Sequence, residues 1–109
     1  MKNNFEKLFK TTKPIIAMVH LPALPGSPLY NSKLGLNYIL ETAEQDLLAL
    51  QEAEVDAVMF GNENDRPYEF NANPASSSTM AYVIGTLSNK IKVPYGVNVL
   101  WDPMSTIAV

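Results

Sequence analysis

The sequence has no cysteine, few charged residues and no long hydrophobic run, and each absence excludes a class of protein. Without cysteine the chain has neither a disulfide scaffold nor a cysteine-based zinc site. No apolar run approaches the roughly 18 residues of a membrane-spanning helix. No apolar segment follows the lysines of residues 1–13, as it would in a secretory signal. We therefore expect a cytoplasmic protein without a membrane span.

The composition predicts one small folded domain. The 109 residues are 47% hydrophobic and only 17% charged, which is typical of a chain with an apolar core rather than a disordered one. The net charge is −3, and the segment from Glu41 to Glu69 holds nine acids and a single base, Arg66. Nucleic-acid binders usually show the opposite balance, so we expect no nucleic-acid partner.

Three apolar segments of strand length begin near Ile15, Val55 and Tyr95, 40 residues apart. Continuous apolar runs are typical of strands buried on both faces, as in parallel sheets. The segments are Pro14–Leu21, Val55–Phe60 and Pro94–Trp101. In the third segment, alternation places Asn98 on the face opposite Val97 and Val99, and puts Trp101 on the valine side, in the core.

Helical periodicity separates these strands. The first stripe, with Asn31 or Ser32 as its N-cap, consists of Leu36, Leu40, Ala43, Leu47 and Leu50. Asp46 lies beside this stripe, which suggests a partly buried structural acid. The second stripe, opened by Asn73-Pro74, consists of Met80, Ile84, Leu87 and Ile91. Asp102-Pro103 predicts the start of a third helix, while Phe5, Leu8 and Phe9 form a short amphipathic turn that either packs on the domain or contacts a membrane.

Strand and helix alternation predicts an α/β fold with a parallel sheet. Three strands leave both sheet edges unpaired, and a closed (β/α)8 barrel needs about 250 residues. We therefore expect residues 1–109 to be one partial domain, the first three β/α units of a truncated TIM barrel, with residues 1–13 as an N-terminal extension. The open edges also predict self-association. The alternative is a complete small three-layer domain.

Three stretches resemble the BtpA/SgcQ family in the order in which that family has them. Met18–Pro28 resembles its first strand and loop, Val55–Phe60 with Asn62 and Glu63 its second, and Gly96–Leu100 its third. The sequence departs from the family at Ala53-Glu54, where a glycine pair often ends the first helix.

The resemblance implies a TIM barrel of the ribulose-phosphate-binding type. One branch of the family is named for photosystem I biogenesis, and the SgcQ-like branch, which this chain resembles more, is described as nucleosidase-like. Three interpretations follow: an enzyme acting on a nucleoside or phosphorylated sugar, a non-catalytic factor for complex assembly, and an inactive truncated remnant.

Polar residues at the predicted strand ends are the candidates for chemistry, because barrel enzymes place their active sites there. His20, Glu63 and Asp102 are the predicted catalytic residues, and Asn62, Asp65 and Asn98 are predicted to bind substrate. Each has a structural alternative: His20 bonded to a loop carbonyl, the acids of the second loop solvated, Asn98 paired with neighbours, and Asp102 capping a helix. No spacing predicts a metal or identifies a cofactor, and the Pro22–Pro28 loop lacks the P-loop signature.

Overall fold

A computed structural model describes residues 3–109 as an α/β structure with one three-stranded parallel sheet. The strand order is β1-β2-β3. A short 3-10 turn, Ser88–Lys90, precedes the third strand. The elements are α1 Asn4–Leu8, β1 Ile16–His20, α2 Gly35–Glu52, β2 Ala57–Gly61, α3 Pro74–Leu87, β3 Tyr95–Asn98 and α4 Pro103–Ala108. The predicted class and the parallel pairing are therefore confirmed.

The register separates the sheet into two faces. One row across the strands pairs Val19 with Phe60 and Phe60 with Val97. The next row pairs Met18 with Met59 and Met59 with Gly96. Because side chains alternate along a strand, these rows point to opposite sides of the sheet.

Helices α2 and α3 cover the face of the sheet that carries Val19 and Phe60. Both of these side chains are fully buried, and they join one apolar cluster with Leu47 of α2 and Val83 of α3. Leu21 and Leu24, which follow β1, extend this cluster toward the C-terminal ends of the strands. The core therefore lies on one side of the sheet, and Val97 and Val99 face it as the alternation predicted.

The opposite face of the sheet is open among the described residues. Ile16 and Met18 of β1 are exposed, so within residues 3–109 this run is buried on one face. The physical reason is that only one face of β1 is packed by helices, and alternate side chains of the strand point to the other. β2, between its two neighbours, is the strand that is nearly buried throughout.

A side-chain cap marks the start of α3 but not the start of α2. Asn73 caps α3 as predicted, since its Oδ1 accepts a hydrogen bond from the Ala75 N–H at 2.8 Å. α2 instead begins after Leu34, without a side-chain cap, so neither Asn31 nor Ser32 is its N-cap. Asn31 Oδ1 accepts from the Lys33 N–H, which forms a turn ahead of the helix.

The end of α2 places a glutamate in a conformation that glycine adopts more easily. Glu54 has a φ of 63°, the left-handed conformation that normally favours glycine. Its N–H donates to the Gln51 carbonyl oxygen. The helix therefore ends in the left-handed conformation that is common after helices, although Glu54, unlike glycine, has a Cβ that is unfavourable in this conformation.

Four further expectations differ from the observed packing. Trp101 is 58% exposed rather than buried in the core, because β3 ends at Asn98 and Trp101 lies in the turn that follows, with a φ of 68°. Asp46 and Leu36 are exposed, and Ile39 takes the expected place of Leu36 in the core.

α1 has no buried residue, and its Phe5 ring contacts Phe9 with centroids 5.1 Å apart, so this turn is not packed into the domain. Along residues 3–109 no helix combines the length and apolarity needed to cross a membrane.

Leu47 and its neighbour Leu48 provide a matched test of this packing. Leu47 is fully buried and Leu48 is 46% exposed on the same helix. We expect Leu47→Ala to lower the free energy of unfolding by about 2–5 kcal/mol, because it leaves a cavity in the core. Leu48→Ala should change it by about 0.5 kcal/mol or less. Urea unfolding followed by circular dichroism measures both, and equal losses would contradict the assigned core face.

Candidate functional site

The three strands end at one edge of the sheet, and their last residues form one row. His20 pairs with Gly61, and Gly61 pairs with Asn98. A Cβ added to Gly61 would lie 3.4 Å from Met18 Cε and 4.0 Å from His20 Cδ2, so His20 is on the open face with Met18. Two strand spacings, about 10 Å, separate the backbones of His20 and Asn98. Gly61 leaves the space between them free of a side chain.

The loops that follow β1 and β2 are joined by hydrogen bonds. Asp65 Oδ1 accepts from the Leu24 N–H at 2.7 Å, and Asn64 Nδ2 donates to the Leu21 carbonyl at 2.7 Å. Both bonds span more than 40 residues of sequence. They fix the path of the chain directly after His20.

Asn62 extends this network to the end of the third strand. Its Oδ1 accepts from the Leu100 N–H at 2.8 Å, and its Nδ2 lies 3.4 Å from Asp65 Oδ2. Asn62 and Asp65 are both buried. Because buried polar groups need partners, these two side chains hold the segments after all three strands in one arrangement.

Burial raises the pKa of Asp65. Desolvation is the main cause, and it is opposed by hydrogen bonds from the Leu24 N–H and the Asn62 amide. Ser27 also lowers this pKa, yet its buried Oγ has no hydrogen-bond partner of normal geometry among the described residues. The Ser27 hydroxyl is thus near a carboxyl group without being fixed by it.

Glu63 forms the charged rim of the site. Arg66 Nη2 lies 2.7 Å from Glu63 Oε1, and the Tyr68 hydroxyl donates to the Glu63 carbonyl oxygen at 2.8 Å. The hydrogen bond from Arg66 is the main reason why the pKa of Glu63 is lowered, and the charge of His20 lowers it further by a small amount. The lowered pKa of Glu63 means that its environment, above all Arg66, favours the carboxylate form.

Asp102 caps α4. Its Oδ1 accepts from the Ser105 N–H at 3.0 Å, and its Oδ2 accepts from the Ser105 hydroxyl at 2.6 Å and from the Ala72 N–H at 2.7 Å. The two bonds from Ser105 are the leading causes of a lowered pKa for Asp102. The capping alternative is therefore confirmed, and a catalytic role for Asp102 stays a prediction.

Three aromatic side chains in the loops after β2 and β3 contact one another, and the sequence pattern did not predict this group. The Trp101 ring stacks on Phe70 with centroids 5.5 Å apart and meets the Tyr68 ring edge-on at 5.6 Å. We call these three residues the aromatic cluster. The signal that could have found it is the position of all three in the loops that follow β2 and β3.

The predicted site residues thus divide into two sets. Asn62 and Asp65 contact each other inside the loops, whereas His20 and Asn98 lie at the strand ends and Glu63 lies at the rim. Asp102 contacts Ala72 and Ser105 instead of the other candidates. Within residues 3–109 no group of three or more histidine and acidic side chains is arranged to hold a metal ion.

Comparisons with a family model and with individual proteins point to the same family. A model of the BtpA family matches residues 11–109. The chain is 46% identical to the "Putative sgc region protein SgcQ" of Escherichia coli over 93% of its length, and 35% identical to the "Photosystem I biogenesis protein BtpA" of Synechocystis over 93% of its length. It is 41% identical to an uncharacterized Thermococcus kodakarensis protein over 81% of its length.

The chain spans 38%, 35% and 33% of the lengths of these three relatives, respectively. No solved structure is significantly similar to it.

Replacing Asp65 tests the network that joins the loops. We expect Asp65→Ala to lower the free energy of unfolding by about 1–3 kcal/mol, because it leaves the Leu24 N–H and the Asn62 amide without their acceptor. Asp46→Ala is the matched control, since Asp46 is exposed. A raised pKa means that the folded state binds the proton more tightly than the unfolded chain. The contribution of Asp65 should therefore be largest below pH 4 and decrease as the pH rises through its pKa, and urea unfolding at several pH values measures it.

Asp102 should show the opposite pH dependence. Its lowered pKa means that the folded state favours the carboxylate, so its contribution is complete above the ordinary pKa of aspartate and is lost as the pH falls through the lowered value. The destabilisation by Asp102→Ala should thus be largest at neutral pH and should diminish in acid. If Asp65→Ala and Asp102→Ala responded to pH in the same direction, the assigned environment of one of them would be wrong.

Proposed function

The chain belongs to the BtpA family, and from this premise we propose that residues 1–109 form a partial domain, the first three β/α units of a (β/α)8 barrel, in an enzyme acting on a nucleoside or a phosphorylated sugar. The parallel order β1-β2-β3 with helices on one face supports the barrel proposal. In such a barrel the face that carries Met18 and Met59 is the interior.

The observation that carries the enzyme proposal is the arrangement of polar side chains at the strand ends. In barrel enzymes the active site lies at the C-terminal ends of the strands. Here His20 and Asn98 end β1 and β3 in one row, and the loop after β2 supplies Asn62, Glu63 and Asp65. A catalytic site needs both fixed and accessible groups, and the buried Asn62–Asp65 pair fixes the loops from which the others project.

Within this proposal the residues have separate roles. His20 is the general acid or base, because an imidazole exchanges its proton near neutral pH. Glu63 is ionised and activates water or stabilises positive charge that develops on the sugar. Asn98, Asn62 and Asp65 contact the substrate. Asp102 orients the segment after β3 and is also a candidate catalytic residue, as a carboxylate.

A second candidate function is support of complex assembly. The similarity to a protein named for photosystem I biogenesis favours it, at 35% identity over 93% of this chain. The unpaired edges of β1 and β3 in the sheet of the described residues would also permit self-association, which light scattering of the chain tests as a rise in mass with concentration. The enzyme function predicts that turnover requires His20, whereas the assembly function predicts no turnover.

The test uses a full-length family member that carries a histidine at the position of His20, and replaces that histidine by asparagine. We expect hydrolysis of nucleosides or of sugar phosphates to fall by about 10²–10⁴-fold, the usual contribution of a general acid or base. Release of free base or free sugar measures turnover. The control replaces the residue aligned with Asn89, which is exposed and lies in the 3-10 turn before β3, at the opposite end of the strand from Asn98.

Unchanged turnover in the histidine variant would remove His20 from the mechanism. Absence of any turnover in the unmodified protein, together with specific capture of a membrane complex, would favour the assembly function instead.

A further inference from the structure

Gly61 is the last residue of β2 and lies between His20 and Asn98 in the final row of the sheet. This row comes two residues after the row of Met18 and Met59, so both rows belong to the open face. The side chains of His20 and Asn98 are therefore separated by a gap that lies above the backbone of Gly61.

Neither backbone conformation nor local packing requires a glycine at position 61. Among the described residues, the glycines with positive φ are Gly26 and Gly35, whereas Gly61 has the ordinary conformation of a strand residue. A Cβ at Gly26 would lie only 2.6 Å from Asn73 Cγ, so packing explains that glycine. A Cβ at Gly61 would meet its nearest neighbour, the flexible end of Met18, at 3.4 Å. An alanine therefore fits at position 61 in the structure.

A glycine inside a strand weakens the strand, because it loses more backbone freedom on folding than other residues and has no side chain to pack. Where conformation and packing do not require it, the remaining reason is that another group approaches the backbone closely. Gly61 lies at the C-terminal edge of a parallel sheet, which is where α/β folds bind their ligands. The group that approaches Gly61 is therefore expected to be a ligand.

The two side chains beside the gap are available to such a ligand. Asn62 and Asp65, at the same edge of the sheet, bond to other parts of the chain. The side chains of His20 and Asn98, in contrast, have no hydrogen-bond partner within residues 3–109. An imidazole and an amide can both donate and accept hydrogen bonds. Their backbones are about 10 Å apart, which accommodates a small ring with a hydrogen bond of about 3 Å on each side.

The charges nearby indicate which part of a substrate lies in the gap. The loop after β2 has a single base, Arg66, and this base is paired with Glu63. A phosphate group would find no free cation in that loop, whereas the hydroxyl groups of a sugar need none. The surroundings of Gly61 therefore suit the uncharged sugar ring, which a nucleoside and a phosphorylated sugar have in common.

We propose that Gly61 is a specificity-determining residue: its missing side chain allows the sugar ring of the substrate to lie on the backbone of β2, with hydroxyl groups bonded to His20 and Asn98. A methyl group at position 61 would occupy the place of the ring. The identity of the ligand rests on the proposed function, whereas the position of the gap rests on the register of the three strands.

Gly96 provides a matched control on the same face of the sheet. It lies two residues before Asn98 in β3, and a Cβ there would meet Met59 Cε at 3.5 Å, nearly the same contact as at Gly61. We expect Gly61→Ala and Gly96→Ala to leave the urea midpoint of the 109-residue chain unchanged or slightly raised, since alanine fits both strand positions. A clear loss of stability in Gly61→Ala alone would assign this glycine to packing and overturn the proposal.

The binding test uses a full-length family member that has glycine at both positions, with adenosine and ribose 5-phosphate as the probes in isothermal titration calorimetry. We expect Gly61→Ala to raise the dissociation constant about tenfold or more, the usual effect of one added carbon in a closely fitting pocket, and Gly96→Ala to leave it nearly unchanged. An effect on adenosine alone would identify a nucleoside site, and an effect on ribose 5-phosphate alone a site for a phosphorylated sugar. Equal effects of the two alanine variants, or no binding of either probe by the unmodified protein, would overturn the proposal.

The same variants distinguish this inference from the proposed enzyme. Binding that Gly61→Ala weakens, without turnover of either probe, would keep the sugar site and remove the reaction. Turnover with a KM that Gly61→Ala does not change would keep the reaction and remove Gly61 from substrate recognition.

Discussion

Parallel pairing of β1, β2 and β3 is the constraint on which the other features of this chain depend. It brings three C-terminal strand ends to one edge, which antiparallel pairing of consecutive strands would not do. It also forces each connection to cross the sheet through a helix, so α2 and α3 pack on Val19 and Phe60 from one side. The polar residues after the strands meet as a result, although more than 35 residues of sequence separate Asn62 from Leu100.

Two buried aspartates stabilise that edge in different ways. Asp65 is placed in a poorly solvated position, where burial raises its pKa, while Asp102 receives three hydrogen bonds that keep it ionised. Both carboxylates accept backbone N–H groups of other segments, Leu24 in one case and Ala72 in the other. These buried acids order the loops, while His20, Phe70 and Trp101 are exposed beside them.

Local signals predicted some features well because their cause is local. Asn73-Pro74 opens α3 since an asparagine side chain caps the helix within two residues and proline suits its first turn. Asn31 failed as a cap because the same side chain also forms a turn with Lys33, and sequence does not decide between these competing bonds. The Asn62–Asp65 link to Leu24 and Leu100 could not be predicted, since its partners come from three separate segments.

The sequence by itself determined the order of strands and helices, the family, and the concentration of polar residues after each strand, because periodicity, caps and motif residues act over short distances. Only the tertiary structure decided which of those polar groups are buried and hydrogen-bonded to other parts of the chain. It turned Asp102 toward Ala72 and Ser105, withdrew Asn62 and Asp65 into the loops, and moved Trp101 out of the core into contact with Phe70. These outcomes depend on burial and on partners distant in sequence, which no local pattern encodes.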